Sequence, residues 1–536
     1  MVRRVSKPLT SAALNADVGD VLVTKPHQEK ARLKAGFFFV GYYAVMHRIR
    51  KTFAVVLAMA VASAALPVHA VSSDLPELGD AAHEVLPPQL QRKLGAEFYN
   101  EIRLREPSYI DDPEVSGYVN RVGRRLVSAS ADPNARFTFF VLRDRQINAF
   151  ATFGGYVGVN TGLLLAARTE SEFAGVLAHE VSHVIQQHLA RGIMAAQNQQ
   201  ISSLASLALI VLAARAGGNT GQMAQGAGQA IQAANIQSQL AYSRDFEREA
   251  DRVGFTTLAK AGYDPKGMAD FFERLQKATA LYENNAPVYL RTHPLTTERI
   301  SDMQGRAHNA PYKQVRDSQD FYLVRAKLRV MESTPQDALA EFETQLRERR
   351  FTYESVIWYG MSRAQLRQGN FSEAEKSLLQ ARKLAAANPM FETLAAEIKM
   401  AEKDTAAATA IYREGYKRYP NDEALMLGLV NALQQQGQND AAIQILDARI
   451  NRGVRDPKLY LLQAQSYAAL GKSVQSRRAT AEAYALNGQT QAAVEQLELA
   501  QREARQFQEQ SMIDSRLRAL RAQVLEERKA ANQSPF

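Results

Sequence analysis

The sequence predicts a mainly α-helical protein, with an α+β domain in its first half and a solenoid of paired helices in its second half. Three observations predict this. The chain has 536 residues, which is too many for one hydrophobic core. Apolar residues recur at three- and four-residue steps from Ser171, and the strand-like segments lie between residues 137 and 159. Beyond residue 309, a turn signal returns at multiples of 34 residues.

The positive charge of the chain lies mostly at its N-terminal end. Residues 1–70 hold ten Lys or Arg and three Asp or Glu, which accounts for seven of the nine net positive charges. A basic stretch ending at Lys51 is followed by the apolar run from Phe53 to Leu66 and then by Ala70. This order is typical of a secretory signal peptide, which we assign to residues 46–70 with cleavage after about Ala70. The alternative is an uncleaved membrane anchor, although the apolar run is short for a span.

Removal of this segment changes what the composition implies. We expect translation to begin at Met46, so that residues 1–45 are a non-native or untranslated extension. The remaining chain is nearly neutral, and no nucleic-acid partner is therefore predicted. The sequence contains no cysteine, which excludes disulfides, thiolate metal ligands and anchoring through a lipidated cysteine.

Residues 71–308 are predicted to form the α+β domain. The predicted elements are a polar, helix-permissive stretch from about Pro88 that includes Asp112-Pro113-Glu114, a strand at 137–142, a glycine-interrupted strand at 150–159, and helices from Ser171 and over 241–260. Glycines within a strand often mark a place where another backbone comes close. The run from Ile201 to Ala214 is almost wholly apolar, but 14 residues are too few to cross a bilayer as a helix. We expect this run to be buried core or a mobile flap.

Residues 309–500 are predicted to form the solenoid, and residues 501–536 a final helix and tail. The turn signals Gly369-Asn370, Gly437-Gln438 and Gly471-Lys472 lie 68 and 34 residues apart, with Lys403-Asp404 in the intermediate place. This period resembles the tetratricopeptide repeat, although Pro420 is out of register. An irregular helical bundle is the alternative. Stacked repeats leave a concave surface suited to peptides or helices of a partner.

The decisive motif is Leu177-Ala-His179-Glu180-Val-Ser-His183. Two histidines four residues apart on a helix project from the same face, so both imidazoles can reach one cation. Glu180 lies beside them and is suited to take a proton from a metal-bound water. The alternative is a pair of histidines that lie in a hydrophobic core with their hydrogen bonds satisfied and have no functional role.

A zinc ion held by two histidines needs a third protein ligand, and catalysis needs a fourth position open to water. The candidate segment runs from Ser243 to Gly254. Within it, Glu247 and Asp251 share a helix face, while Glu249 points away. Glu247 is suited to ligate zinc, and Asp251 to accept the second N–H of a ligand histidine and fix its tautomer. Taken alone, such a segment is more often a solvated, charged helix face.

Together, His179-Glu180-Val-Ser-His183 and Glu247-Arg-Glu-Ala-Asp251 resemble the M48 family of zinc peptidases. The resemblance covers most of residues 75–500. It implies a gluzincin-like α+β metallopeptidase fold in which His179, His183 and Glu247 bind one Zn²⁺ per chain. Glu180 is then the catalytic base.

The segment from Thr292 to Arg299 gains a meaning from this resemblance. In the family, the matching histidine approaches the metal from a loop and can hold the enzyme latent, and the matching arginine lies near the site. We therefore predict that His293 is a regulatory or transition-state contact, with Arg299 as its companion. Read without the resemblance, His293 is only a histidine in a turn.

The resemblance, the signal peptide and the repeats together imply a periplasmic zinc endopeptidase. It would degrade misfolded or stalled outer-membrane proteins and promote their assembly, with the repeats binding the client or the barrel assembly machinery. Peripheral association with a membrane stays open. The alternative is a chaperone or adaptor whose peptidase activity is usually silent; a peptidoglycan or lipid hydrolase has no supporting signal.

Substrate is expected to bind as an added strand, because backbone pairing to an exposed sheet edge tolerates many sequences. Residues 153–157, Phe-Gly-Gly-Tyr-Val, are the candidate edge. The alternative for these residues is an ordinary buried hairpin.

Overall fold

The part of the chain that the computed structural model describes consists of residues 86–197, 244–280, 287–311 and 313–533. The predicted extension at 1–45, the predicted signal peptide at 46–70 and the apolar run at 201–214 lie outside these residues. Before the repeats, the elements are α1 (Pro88–Arg105), α2 (Pro113–Ser128), β1 (Thr138–Leu142), β2 (Ala149–Ala151), a 3₁₀ turn (Phe153–Gly155), β3 (Tyr156–Asn160), α3 (Thr161–Ala166), α4 (Glu170–Ile185), α5 (His188–Gln197), α6 (Arg244–Lys260), α7 (Lys266–Ala280), α8 (Val288–Thr292) and α9 (Thr297–Asn309).

The described strands form one three-stranded sheet in the order β1-β3-β2. The central strand β3 pairs parallel with β1 and antiparallel with β2. The prediction that residues 153–157 form an exposed edge is therefore wrong. Residues 153–155 form the 3₁₀ turn, and residues 156–157 begin the central strand. The outer strands are β1 and β2, and β2 is the one that packs against α4.

The strand predicted at 150–159 is in fact two strands joined by a tight turn. Gly154 and Gly155 have φ values of 69° and 85°, which L-residues rarely adopt, and two such residues in succession reverse the chain. A Cβ on Gly155 would lie 2.1 Å from the carbonyl oxygen of Arg136. The glycines that interrupt the apolar pattern are thus required by the turn and by the close approach of a neighbouring backbone.

Helix α4 is the centre of the first part of the chain. Helices α2, α6 and α7 and strand β2 all pack against it. Every residue of α4 from Glu170 to His183 is buried. A helix that is covered on all sides holds its polar side chains away from water, so any charge it carries needs a partner inside the protein. Among the described residues, no helix is both long enough and apolar enough to cross a membrane.

Paired helices make up the second part of the chain. They are α10 (Gln319–Glu332), α11 (Pro335–Arg347), α12 (Glu354–Arg367), α13 (Phe371–Lys383), α14 (Pro389–Ala401), α15 (Thr405–Arg418), α16 (Glu423–Gln435), α17 (Asn439–Asn451), α18 (Pro457–Ala469), α19 (Ser473–Leu486), α20 (Thr490–Glu503) and α21 (Phe507–Gln533). The predicted α-helical repeat region is confirmed.

The 34-residue period of the sequence arises from a turn residue in the left-handed backbone conformation, which recurs once in each helix pair. Gly369, Lys403, Gly437 and Gly471 have φ values of 79°, 66°, 73° and 70°. Each stands in the short turn between the two helices of a pair. Glycine adopts this conformation without strain, which explains why the turn leaves a trace in the sequence. Lys403 occupies the corresponding position of another pair and is not a glycine, which explains why the glycine signal is missing there.

The two parts of the chain share one hydrophobic core. A single cluster of buried residues extends from Ile110, just before α2, to Ile398 in α14. The described residues from Leu86 onward pack as one compact unit. The peptidase residues and the helical repeats therefore do not have separate hydrophobic cores.

A buried charge cluster fastens α2 to the repeats. Glu114, at the start of α2, accepts hydrogen bonds from Lys327 Nζ on α10 (2.5 Å) and from Arg363 Nη2 on α12 (3.1 Å). The same Lys327 Nζ lies 2.6 Å from Asp112 Oδ2. The side chain of Glu114 is 3% exposed. Loss of one member would leave the opposite charges buried with fewer partners, which is costly.

Glu114→Gln should therefore lower the free energy of unfolding by about 3 kcal/mol, the usual cost of removing one partner from a buried ion pair. Denaturant titration followed by the fluorescence of Trp358, the sole tryptophan, measures this. The matched control is Asp111→Asn, which removes a solvent-exposed pair with Lys458 (2.8 Å). It should cost less than about 1 kcal/mol. Equal losses in the two variants would contradict the assignment.

Candidate metal centre

Two histidines of α4 point to one place in the interior. The hydroxyl of Thr169 accepts a hydrogen bond from Glu172 N (3.1 Å), which caps the start of the helix. From there the helix continues to Ile185, and the four-residue spacing brings the Nε2 atoms of His179 and His183 to 2.9 Å from each other. The exposed fractions of these residues are 0% and 2%.

Helix α6 brings the predicted third ligand to the same place. Oε2 of Glu247 lies 3.4 Å from His179 Nε2, and Oε1 lies 3.5 Å from His183 Nε2. The helices approach closely because α6 carries Gly254, where a Cβ would lie 3.1 Å from the backbone N of His179. A larger residue at Gly254 would push the carboxylate away from the imidazoles.

His293 joins this group from the loop after α8. Its Nδ1 lies 3.0 Å from Glu247 Oε1 and 3.4 Å from His179 Nε2. The ring stacks on Tyr289 with centroids 4.8 Å apart, and the residue is fully buried. The structure thus places His293 among the donor atoms themselves.

Asp251 and Arg299 lie directly behind the donor atoms. Asp251 Oδ1 is 3.0 Å from His179 Nδ1. Arg299, from α9, donates two hydrogen bonds to Asp251, from Nε to Oδ2 (2.7 Å) and from Nη2 to Oδ1 (2.8 Å). Its Nη1 lies 2.9 Å from Glu247 Oε2. One buried guanidinium therefore fixes both carboxylates.

The donor atoms fit a metal ion. One ligand atom from each of His179, His183, Glu247 and His293 lies within 4.8 Å of all the others. Ligands at the usual zinc bond lengths in a tetrahedron stand about 3.3 Å from each other. The separations given above bracket that value.

The charges around these atoms also suit a cation. The buried carboxylates of Glu180, Glu247 and Asp251 face one guanidinium, that of Arg299, so the cluster carries two excess negative charges when its histidines are neutral. Buried charge of this kind is stable when it coordinates a metal.

Glu180 stands beside the donor atoms, and its carboxylate makes no hydrogen bond among the described residues. Both carboxylate oxygens are buried. The contact with His293 Nε2, at 3.5 Å from Oε1, is too long for one. A carboxylate held in this way is suited to exchange protons with a water molecule.

The pKa values at the centre follow from burial and neighbouring charge. Burial lowers the pKa of His179, but hydrogen bonds to Asp251 and Glu247 outweigh burial and raise this pKa to about 9. Burial, together with the neighbouring His179, lowers the pKa of His183 well below its usual range. Burial raises the pKa of Glu247, but His293 and His179 outweigh it and hold this pKa well below its usual range. A proton on His179 therefore competes with a metal ion, which needs the neutral imidazole.

Three residues near the centre were not predicted as part of it. Tyr289 packs beneath His293, and its buried hydroxyl makes no hydrogen bond among the described residues. His188 Nδ1 lies 2.9 Å from His183 Nδ1, and burial lowers the pKa of His188 to about 4. Glu249 points away from the donor atoms, as predicted. Its Oε2 lies 3.2 Å from Nε2 of His188. The sequence signal for His188 was the crowding of three of nine histidines into residues 179–188; Tyr289 had no such signal.

Comparison with known proteins agrees with this geometry. The profile of Peptidase family M48 matches residues 113–307, and a profile described as Tetratricopeptide repeat matches residues 399–466. The chain is 32% identical over 443 residues to the putative beta-barrel assembly-enhancing protease of Vibrio cholerae serotype O1, which covers 82% of this chain and 90% of that protein. It is 31% identical over 465 residues to the beta-barrel assembly-enhancing protease of Escherichia coli strain K12, with 85% and 93% covered.

Similarity to solved structures is weaker. The crystal structure of the yeast Tom70 aligns at 12% identity with a TM-score of 0.25, over 84% of this chain and 76% of that one. This score is too low to support an inference about fold. The family profile, the two full-length relatives and the motif residues of α4 and α6 agree with each other: this chain belongs to peptidase family M48 and is a metalloendopeptidase with a tetratricopeptide-repeat region.

Proposed function

We propose that this chain is a zinc endopeptidase of the bacterial periplasm that degrades misfolded or stalled outer-membrane proteins and promotes the assembly of others. The observation that carries the proposal is the convergence of His179, His183 and Glu247 in the interior, with the carboxylate of Glu180 beside them. The names of the relatives from Vibrio cholerae and Escherichia coli support the link to β-barrel assembly. The signal peptide predicted at 46–70 supports the location.

Zinc suits the donor set of two imidazole nitrogens and one carboxylate oxygen. His179, His183 and Glu247 would hold the ion, and Asp251 and Arg299 would keep two of these ligands in place. When bound, zinc supplies a Lewis acid that polarises the scissile carbonyl and acidifies the attacking water.

Glu180 moves the protons in the proposed reaction. It takes a proton from the attacking water and passes it to the leaving amine. Its place next to His179 on α4 keeps it close to the ion, and its burial excludes bulk water from the proton transfer. Among the described residues its oxygens make no hydrogen bond, and His293 Nε2 lies 3.5 Å from Oε1.

The repeats are proposed to bind either the client protein or the barrel assembly machinery. Part of the surface of the repeats is covered by α2, which packs against α10 and α16. A partner would therefore bind to helices that α2 leaves uncovered.

Glu180→Gln should reduce hydrolysis of casein or of a misfolded barrel protein at least about 1,000-fold, because the proton acceptor is lost while the ligands stay. The chain from Val71 onward would be assayed, with zinc per chain measured in parallel. Zinc content should equal that of the wild type. Hydrolysis that survives in this variant would refute the role of Glu180.

Asp251→Asn should weaken zinc binding by roughly 10- to 100-fold, because the carboxylate that orients His179 and pairs with Arg299 loses its charge. Competition with a chromophoric chelator measures the affinity. Asp302→Asn is the matched control, since that carboxylate pairs with Arg306 (3.1 Å) on the surface of α9. The control should bind zinc like the wild type, and an unchanged affinity in Asp251→Asn would count against its proposed place.

One observation favours the alternative of a chaperone or adaptor whose peptidase activity is usually silent. His293 Nδ1 lies among the donor atoms, at 3.4 Å from His179 Nε2. A fourth protein ligand would occupy the position that water needs. We therefore propose that His293 restrains the enzyme and that its release from the centre permits hydrolysis.

His293→Ala should raise the hydrolysis of an unfolded substrate several-fold, because the fourth position opens to water. Initial rates on casein for the wild type, His293→Ala and the double variant with Glu180→Gln measure this. The double variant controls for a contaminating protease and should be inactive. No change in rate would show that His293 has no regulatory part, and a large fall in rate would favour a transition-state contact instead.

A further inference from the structure

A third histidine lies behind His183, on the side opposite to the donor atoms. The Nδ1 atoms of His188 and His183 are 2.9 Å apart, while Nε2 of His183 faces His179 Nε2 at the same distance. His183 is therefore held at both of its ring nitrogens. His188 is fully buried, so this contact lies inside the protein and is not a surface encounter.

The backbone makes a special turn to produce this contact. Residues five apart on a continuous helix lie about 140° apart around its axis, so His183 and His188 could not meet on one helix. Helix α4 ends at Ile185, and Gln187 has a φ of 55°, a left-handed value that a residue with a side chain adopts at a cost. Helix α5 then begins at His188. The turn is secured by Gln91, which donates a hydrogen bond to the side chain of Gln187 (2.9 Å).

The position of one proton follows from the proposed metal binding. At 2.9 Å, a hydrogen carried by Nδ1 of one ring can bond to Nδ1 of the other. His183 needs its Nε2 lone pair for the ion, so the neutral ring carries its hydrogen on Nδ1. His183 then donates, and His188 Nδ1 accepts. The hydrogen of His188 consequently stands on Nε2.

The Nε2 atom of His188 lies beside a carboxylate. His188 Nε2 lies 3.2 Å from Glu249 Oε2, and the same oxygen accepts a hydrogen bond from Arg191 Nη1 (3.0 Å). The ring of His188 is stacked on Phe246 at a centroid distance of 4.7 Å and an interplanar angle of 12°. The ring therefore has a fixed plane, with the donating Nδ1 of His183 on one side and the carboxylate of Glu249 on the other.

We propose that His188 and Glu249 are positioning residues that fix the tautomer and orientation of His183 for metal binding. The chain of contacts from Glu249 through His188 to His183 does for this histidine what Asp251 does for His179. Both arms act on the ligand through its Nδ1, and together they set the two Nε2 lone pairs toward one point. This inference rests on the proposed function, in which His183 holds the ion by Nε2.

The test compares two replacements of the same ring in the chain from Val71 onward. In His188→Asn the amide oxygen stands where Nδ1 stood, so an acceptor for His183 remains. In His188→Phe the ring shape and the stacking on Phe246 remain, but the acceptor is lost. Zinc affinity, measured by chelator competition, should fall roughly 10- to 100-fold in His188→Phe and recover most of that loss in His188→Asn. The zinc affinity of Glu249→Gln should lie between the affinities of His188→Phe and His188→Asn.

A spectroscopic readout separates positioning from packing. The visible absorption of the cobalt-substituted protein reports ligand geometry, and it should shift in His188→Phe and return toward the wild-type spectrum in His188→Asn. Arg191→Met is the matched control, because Arg191 contacts Glu249 and does not contact a donor atom. Its zinc affinity should stay within about twofold of the wild type, well short of the loss expected for a missing outer-shell partner.

Wild-type affinity and spectrum in His188→Phe would overturn the inference, and so would equal losses in His188→Phe and His188→Asn, which would indicate packing alone. If His188→Phe does not fold, Glu249→Gln against Arg191→Met decides the question. A different result would contradict the proposed function. Either the wild-type chain would bind no zinc, or the His183→Ala variant would bind zinc as the wild type does.

Discussion

The centre depends on the close approach of two helices in an interior that excludes water. Helix α4 is buried on all sides, and α6 reaches its backbone at Gly254. This contact brings the imidazoles of one helix to the carboxylate of the other. Three buried carboxylates then face one guanidinium, and a cation held between the two helices would offset the excess negative charge. The fold and the proposed metal site thus have the same physical origin.

Rigid outer contacts prepare the donor atoms. Arg299 pairs with both Asp251 and Glu247, which holds the two carboxylates in fixed positions beside His179. The turn at Gln187 brings His188 to His183, and α6 brings Glu249 to His188. These groups come from separate elements, so the donor geometry is determined by the packing of α4, α5, α6 and α9 and not by one segment. A centre of this kind tolerates few changes behind its ligands, because each outer group orients a specific nitrogen or oxygen.

The repeats are part of the same folded unit as the peptidase residues. The hydrophobic core is continuous between them, and Glu114 at the start of α2 is buried against Lys327 and Arg363 of the repeats. A buried ion pair adds less to stability than to the definition of one relative orientation. A partner that binds the repeats would therefore act on helices that are already fixed to α2, which in turn packs on α4. A partner bound to the repeats and a substrate at the metal centre would thus contact the same folded unit.

The sequence by itself determined the features that depend on local spacing. The His179 and His183 pair, the carboxylates at Glu247 and Asp251, the helical repeats and the two-part architecture all follow from residues three, four or 34 positions apart, and a helix converts such spacing directly into geometry. The tertiary structure decided what depends on contacts between distant segments. Only the packing showed that residues 153–157 turn into a central strand, because strand order is set by long-range pairing that period-two patterns do not encode. Only the packing brought Tyr289 and His188 to the centre, since Tyr289 lies on the short helix before His293 and His188 follows a left-handed turn, and the course of both is fixed by the elements around them.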